Sequence, residues 1–158
     1  MGGIGDDFAR EIRRIKARME AERMPRGVDP ALHLKLGPGG LSDVEWVVQL
    51  LQLRHAHAVP ELRTTRTMAG LAAAAGAGLV GEDDAAALAA GWRLAARVRD
   101  AAVLVRGRPS DVLPTRQPEV AAVASVLGYP PEAYQDLEQD YRRAARRARS
   151  VMERLFYG

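Results

Sequence analysis

Residues 34–51 read LKLGPGGLSDVEWVVQLL and join a glycine-rich loop to the start of a helix. Ser42 precedes Glu45 by three residues, which is the spacing of a capping box, in which each side chain accepts from the other residue's amide. Asp43 adds negative charge to the first turn, where the helix dipole favours it. The loop glycines, which permit positive φ or close backbone contact, are Gly37, Gly39 and Gly40. We expect the other helices to pack around this one.

Composition favours helices over a sheet. The chain has 158 residues, is rich in alanine and contains only 5% aromatic residues. This length predicts a single domain, 1–158, that buries a substantial core. The absence of cysteine excludes a disulfide framework and a cysteine-rich zinc site. We therefore predict an all-α fold, an antiparallel bundle of about six helices without a significant sheet.

Apolar periodicity and helix-terminating residues give approximate helix boundaries. The predicted helices cover about 6–23, 42–58, 82–106, 118–127 and 131–156, and a third helix in chain order starts with Thr65 or Thr67 as its cap and ends at Gly76 and Gly78. In the first helix, Asp6 or Asp7 is the expected cap, and the expected buried stripe is Phe8, Ile12, Ile15 and Met19. The segment Leu32–Leu36 alternates apolar and polar residues, and we interpret it as an extended segment outside any sheet.

The residues themselves indicate no catalytic set. Asp43 and Glu45 resemble part of a Gly-Ser-Asp-x-Asp nucleotidyltransferase motif, but two helical steps separate them by roughly 200°, so they cannot share one metal ion. His55 and His57 lack the i, i+4 spacing of a helical zinc site. Amides next to Lys35 at the start of the helix can bind a phosphate, although a purely structural loop is the simpler interpretation. We predict no catalytic residue and no metal site here.

Charge and hydropathy limit the other classes of function. The net charge is only +3, so a nucleic-acid partner is weakly supported. Five arginines do crowd the last helix: Arg142, Arg143, Arg146, Arg147 and Arg149. Glu138, Asp140 and Glu153 lie among them, and few aromatic residues are interleaved, so we expect no nucleic-acid binding. No apolar run is long enough for a membrane helix, and the N-terminus lacks signal-peptide features, so a cytoplasmic protein is expected.

The run from Lys35 to Gln49 closely resembles the signature of the helical domain of glutamine synthetase adenylyltransferases. That signature is Lys-Leu-Gly-x-Gly-Gly, a hydrophobic residue, and an acidic and aromatic helix start, followed by an apolar helix that ends in Gln and Arg. The continuation Gln52–Thr64 is also similar to that family. Mild departures are Ser42, where Arg or Thr is common, and Trp46, where Phe is usual. The residues that match the family's recurrent positions are Lys35, Gly37, Gly39, Gly40, Asp43, Glu45, Gln49, Arg54, Leu62 and Arg63.

The resemblance implies a multidomain parent enzyme with two nucleotidyltransferase modules, each a catalytic domain followed by a helical domain. Such enzymes use ATP and magnesium to attach AMP to a tyrosine of glutamine synthetase, and they remove it by phosphorolysis. It further implies partners: the upstream catalytic domain, glutamine synthetase and the signal protein PII. By this resemblance the chain is the C-terminal helical domain, non-catalytic by itself, with residues 1–24 packing on the catalytic domain. It also implies that the matching loop residues face that domain, its nucleotide or a protein.

Two alternatives do not depend on the parent enzyme. One is a stand-alone helical adaptor that binds a protein through an exposed apolar or basic face. The other is a basic helical module that binds nucleic acid through the arginines of the last helix, with the steep salt dependence such binding shows.

Overall fold

The computed structural model describes residues 5–158 and contains six α-helices in that range. They are α1 (Asp6–Arg23), α2 (Leu41–His55), α3 (Thr67–Gly76), α4 (Glu82–Arg106), α5 (Gln117–Val126) and α6 (Asp136–Met152). A π-helical turn, Glu153–Tyr157, follows α6 directly. Within the described range, extended backbone pairs only at an isolated antiparallel bridge between His33 and Val112. The predicted all-α bundle of six helices is confirmed.

One prediction concerns the N-terminus, which lacks the sequence features of a signal peptide. The first four residues of that segment, 1–4, lie outside the described range. Among residues 5–158, no helix combines the length and the apolar character that membrane crossing requires.

The core is built on α4 and α6, which form the most extensive interhelix contact of the described chain. Gly91 of α4 lies so close to Ala148 of α6 that an added Cβ would come within 2.9 Å of the Ala148 Cβ. Small residues therefore let these two helices approach closely, as the alanine-rich sequence of α4 predicts. We expected the other helices to pack around α2. Helix α2 does contact α3, α4 and α6, but the largest interhelix contact is the one between α4 and α6.

The buried face of α1 differs from the predicted stripe. Ala9, Ile12 and Lys16 are buried, whereas Phe8 is 51% exposed and Ile15 is 44% exposed. The face is rotated because the Lys16 ammonium finds a buried carboxylate partner on α2 and lies 5.9 Å from the centroid of the Phe156 ring. Helix α1 also begins after Gly5, without a side-chain cap, so neither aspartate acts as the predicted cap.

Candidate functional site

The glycine-rich loop contacts neighbouring backbone directly. Gly39 has a φ of +75°, and a Cβ there would overlap the carbonyl oxygen of Ala145 on α6. A Cβ on Gly37 would likewise overlap the carbonyl of Pro30. The loop is closed by hydrogen bonds from the Leu41 amide to the Leu34 carbonyl, 2.9 Å, and from the Ser42 amide to the Lys35 carbonyl, 2.9 Å. Gly39 therefore lets the loop lie directly against α6, and Gly37 lets it lie against the backbone at Pro30.

The predicted capping box is wrong. Helix α2 begins at Leu41 with Gly40 as its N-cap, and no side chain caps it. Asp43 takes over the role of satisfying a free amide, because its Oδ2 accepts from the Gly39 amide at 2.6 Å. Ser42 is the second residue of the helix, two positions past the N-cap, so it does not cap the helix, and Glu45 lines a surface groove together with Lys35 and Leu36.

Asp43 is the centre of a buried ion-pair network. Its side chain is 1% exposed; Oδ1 accepts from Lys16 Nζ at 2.7 Å and Oδ2 from Arg149 Nη1 at 3.0 Å. Lys16 is fully buried and also pairs with Glu20, while Arg149 pairs with Glu153 at 2.9 Å. One carboxylate therefore ties α1, the loop and α6 together.

The network also sets the protonation of its cations. Burial by itself lowers the pKa of Lys16, but the ion pairs with Asp43 and Glu20 together outweigh burial and raise it. The pKa of Arg149 is raised for the same reason, since Asp43 and Glu153 outweigh its desolvation. Both side chains are therefore charged at neutral pH, and the buried Asp43 is compensated.

Asp43 does not fit the role of a magnesium ligand, because Lys16, Arg149 and the Gly39 amide already occupy both carboxylate oxygens. Glu45 lines a surface groove that Lys16 and Glu20 of this network also line, and among residues 5–158 it forms no ion pair with the network. In the part of the chain that the structure describes, no group of three or more histidine or acidic residues could hold a metal ion.

Three of the predicted site residues meet in a surface groove of about 290 Å³ between α1 and α2, which we call the α1–α2 groove. They are Lys35, Glu45 and Gln49. Its other walls combine apolar side chains with charged ones from α1. The remaining lining residues are Lys16, Met19, Glu20, Arg23, Leu36, Ser42 and Trp46. Of these, Trp46, Met19 and Arg23 are of residue types that are enriched in protein–protein interfaces.

Gly37, Gly39, Gly40 and Asp43 are buried, do not line this groove and have structural roles. Leu62 is fully buried in the core. Arg63 is exposed and donates from Nε to the Ala56 carbonyl at 3.0 Å, so it closes the connection after α2. Arg54 is half-buried in the last turn of α2, and neither arginine lines the groove. The predicted site residues thus fall into three groups: those that are buried, those that line the α1–α2 groove, and the pair Arg54 and Arg63 outside it.

Sequence reasoning missed Lys16, Arg149 and Trp46. A lysine at position 16 continues the spacing of Ala9 and Ile12, which is a sign that it shares their buried face. Nothing in the sequence indicates that Arg149 contacts Asp43, because 106 residues separate them.

The basic face of α6 is largely paired with acids of the same chain. Arg142 contacts Glu138 at 3.1 Å, and Arg143 contacts Asp140 at 3.6 Å. Arg146 is exposed and has no ion-pair partner among residues 5–158, and the same is true of Arg147.

Comparisons with known proteins agree with the resemblance. A family model described as GlnD PII-uridylyltransferase matches residues 7–156. A bifunctional glutamine synthetase adenylyltransferase/adenylyl-removing enzyme of Streptomyces coelicolor is 61% identical over 156 residues, which is 99% of this chain and 16% of that protein. Proteins with the same description from Leifsonia xyli and Mycobacterium avium are 54% and 50% identical, over 98% of this chain and 15% of each relative.

The chain thus spans about one sixth of the length of the curated relatives it matches. The family model covers nearly all of the described residues, including the loop, the α1–α2 groove and the network around Asp43. The chain therefore belongs to the family of that model, GlnD PII-uridylyltransferase, and it is similar to one segment of the glutamine synthetase adenylyltransferases.

Proposed function

We propose that this chain is a non-catalytic helical domain for regulation or substrate recognition in a bifunctional glutamine synthetase adenylyltransferase. The parent enzyme would transfer AMP from ATP to a tyrosine of glutamine synthetase and also remove it. The observation that carries the proposal is the division of the signature into two layers. Asp43 and the glycines form a rigid buried base, and Lys35, Glu45 and Gln49 face solvent together in the α1–α2 groove.

The outer face of α1 supports contact with another domain of the same polypeptide. Phe8 and Ile15 are seven residues apart, hence on one side of the helix, and both are about half exposed. Met19 continues this side into the α1–α2 groove. Burying a large apolar side chain contributes about 1.5–3 kcal/mol, so this face has energy available for docking. Since five sixths of the relatives' length lies outside this chain, we assign the face to a catalytic domain of the parent.

The proposal gives each group of residues a role. Lys35, Glu45 and Gln49 contact the catalytic domain or the protein it modifies. Arg54 and Arg63 form a second, distal contact region on the other end of α2. The buried Asp43 and the loop glycines position the groove and touch no partner.

ATP and magnesium belong to the catalytic domain in this proposal, because the Asp43 carboxylate is already engaged with Lys16 of α1 and Arg149 of α6. Glutamine synthetase and PII are the proposed protein partners, and the enzyme works in the cytoplasm. The resemblance favours the adenylylating catalytic domain as the neighbour of this chain.

The test is an add-back assay on the Streptomyces coelicolor relative after deletion of its matching segment. We would follow AMP incorporation into glutamine synthetase and AMP removal from it, with and without this chain added in trans. We expect the chain to be inactive alone and to restore adenylylation. If the truncated enzyme does not fold, a chimera that carries this chain in place of the native segment gives the same comparison.

Matched variants make the assay specific for the groove. Lys35→Gln combined with Glu45→Gln should lower the restored rate about tenfold, as expected for polar contacts at an interface. The control combines Arg108→Gln with Glu132→Gln, both at exposed positions outside the groove, and should leave the rate unchanged. AMP transfer by the chain alone would refute the non-catalytic role. Restored removal without restored adenylylation would assign the chain to the other catalytic domain, and tight binding without either activity would favour the adaptor.

A further inference from the structure

We propose that a second cleft, between α6 and the loop around Pro30–Pro38, binds an acidic peptide segment of a partner protein. This α6 cleft has a volume of about 460 Å³ and shares no lining residue with the α1–α2 groove. Three arginines of α6 line it: Arg142, Arg146 and Arg149. Pro38 of the glycine-rich loop lines the cleft, but Lys35, Glu45 and Gln49 do not, so the cleft is distinct from the α1–α2 groove.

The cleft has an apolar floor beneath its charged rim. Ala31, Pro38 and Ala145 form the floor, and none of them presents a charged group. The three arginines stand at i, i+4 and i+7, so they lie along a single side of α6. A peptide that places one aliphatic side chain on the floor and carboxylates on either side matches this arrangement. Arginine clusters are a common means of recognising acidic motifs.

The arginines differ in how firmly they are held. Arg149 is fixed by Asp43 and Glu153, and Arg142 is paired with Glu138 at 3.1 Å and with Asp29 at 3.8 Å. Arg146 has no ion-pair partner within residues 5–158 and is exposed. Its guanidinium is therefore the free donor of the cleft, able to form a two-pronged contact with a carboxylate.

An acidic peptide fits the cleft better than a nucleic acid does. Glu153 lines the rim and Glu138 pairs with Arg142, so the positive potential is local and does not form a continuous phosphate track. None of the residues that line the cleft is aromatic, so it offers no ring on which bases could stack. The cleft is open to solvent on one side, which allows an extended chain to cross it.

The test uses this chain and a synthetic probe, acetyl-Glu-Glu-Leu-Glu-Glu-amide, in a titration followed by backbone amide NMR at low salt. We expect saturable shifts at Ala31, Ala145 and Ser150, which surround the cleft. Acetyl-Gln-Gln-Leu-Gln-Gln-amide, which has the same shape without charge, should cause none. Arg146→Gln should weaken binding of the acidic probe about threefold, as expected for one exposed ion pair.

Arg147→Gln is the matched control, because Arg147 is the adjacent, equally unpaired arginine but lines a different depression beside Asp83. It should leave the affinity unchanged, and the NMR spectrum of each variant reports directly that it is folded. Equal weakening by the two variants would refute the cleft and show diffuse electrostatic attraction. Tighter binding of a 12-nucleotide single-stranded DNA at the same amides would refute the peptide in favour of nucleic acid. Equal affinity for free glutarate would reduce the site to one for small anions. None of these outcomes depends on the add-back assay.

Discussion

Asp43 is the shared acceptor that joins α1, the glycine-rich loop and α6. It accepts hydrogen bonds from Lys16, Arg149 and the Gly39 amide while almost completely buried. Removing one member of a buried ion pair leaves the other charge uncompensated, so Asp43→Ala should lower the free energy of unfolding by about 3–5 kcal/mol. Urea denaturation of the wild type and the variant measures this difference.

Ser42 provides the matching control for Asp43. Because Gly40 is the N-cap and no side chain caps α2, Ser42→Ala should change the free energy of unfolding by no more than about 0.5 kcal/mol. A loss near the ~1 kcal/mol typical of a missing helix cap would instead support the capping box. The two variants together decide whether the Asp43 carboxylate or the Ser42 hydroxyl stabilises the start of this helix.

His33 makes the stability of the chain depend on pH. It is 4% exposed, and its Nδ1 accepts from the Leu36 amide at 2.9 Å, which requires that nitrogen to be unprotonated. Burial lowers the pKa of His33 from its ordinary value of 6.5; Lys35 acts in the same direction, and Asp111 opposes it. The unfolded chain therefore binds the proton more readily, so the stabilisation is complete above pH 6.5 and is lost as the pH falls through the folded-state pKa.

We therefore expect the melting temperature to fall between pH 7.5 and 5.5, and His33→Asn to flatten that dependence. His57→Asn changes an exposed histidine and should retain the wild-type slope. Scanning calorimetry of the three proteins across this range makes the comparison. An unchanged slope in His33→Asn would show that other groups cause the pH dependence.

At the scale of elements, the glycine-rich loop determines how α2 is attached to α6. Gly39→Ala would drive a Cβ into the Ala145 carbonyl at a φ of +75°, whereas Gly27 has a similar φ of +80° with no atom within 4 Å of its Cβ position. Gly27→Ala should therefore cost only the conformational penalty of about 1–2 kcal/mol. Gly39→Ala should cost several kcal/mol more, because the loop must leave α6. Thermal unfolding of both variants tests this, and equal losses would mean that close packing is unimportant there.

The elements also show how far sequence reasoning reaches. Helix α4 ends at Arg106 before a left-handed Gly107, as predicted, because local terminating residues decide such boundaries. The stripe of large apolar residues gave the wrong buried face for α1, since the charged Lys16 is held inside by a carboxylate 27 residues away. Likewise the groove residues Lys35, Glu45 and Gln49 were identified only through the family resemblance. Local patterns thus specify where helices begin and end, but ion pairs between distant residues decide which faces they bury.

At the scale of the whole molecule, the helices differ in how much of their surface is buried. The contact between α4 and α6 and the network around Asp43 make a compact interior. In contrast, α1 contributes few buried residues and is held through Lys16 and through Arg13 Nε, which donates to the Phe156 carbonyl. A helix that is fixed by polar contacts on one side and apolar on the other is well suited to connect this domain to a neighbouring one.

This asymmetry predicts that binding and stability can be separated at α1. Phe8→Ser combined with Ile15→Ser removes two half-exposed apolar side chains and should change the free energy of unfolding by less than about 1 kcal/mol. The same change should weaken association with the truncated Streptomyces coelicolor relative by tenfold or more, because each side chain contributes over 1 kcal/mol when it is buried. Leu104→Ser is the control, since Leu104 is 74% exposed on α4, away from α1. Sedimentation velocity of each mixture gives the affinity. Wild-type affinity in the double variant would refute α1 as the docking face and leave the α1–α2 groove as the remaining contact. An equal loss of affinity in Leu104→Ser would indicate non-specific hydrophobic association.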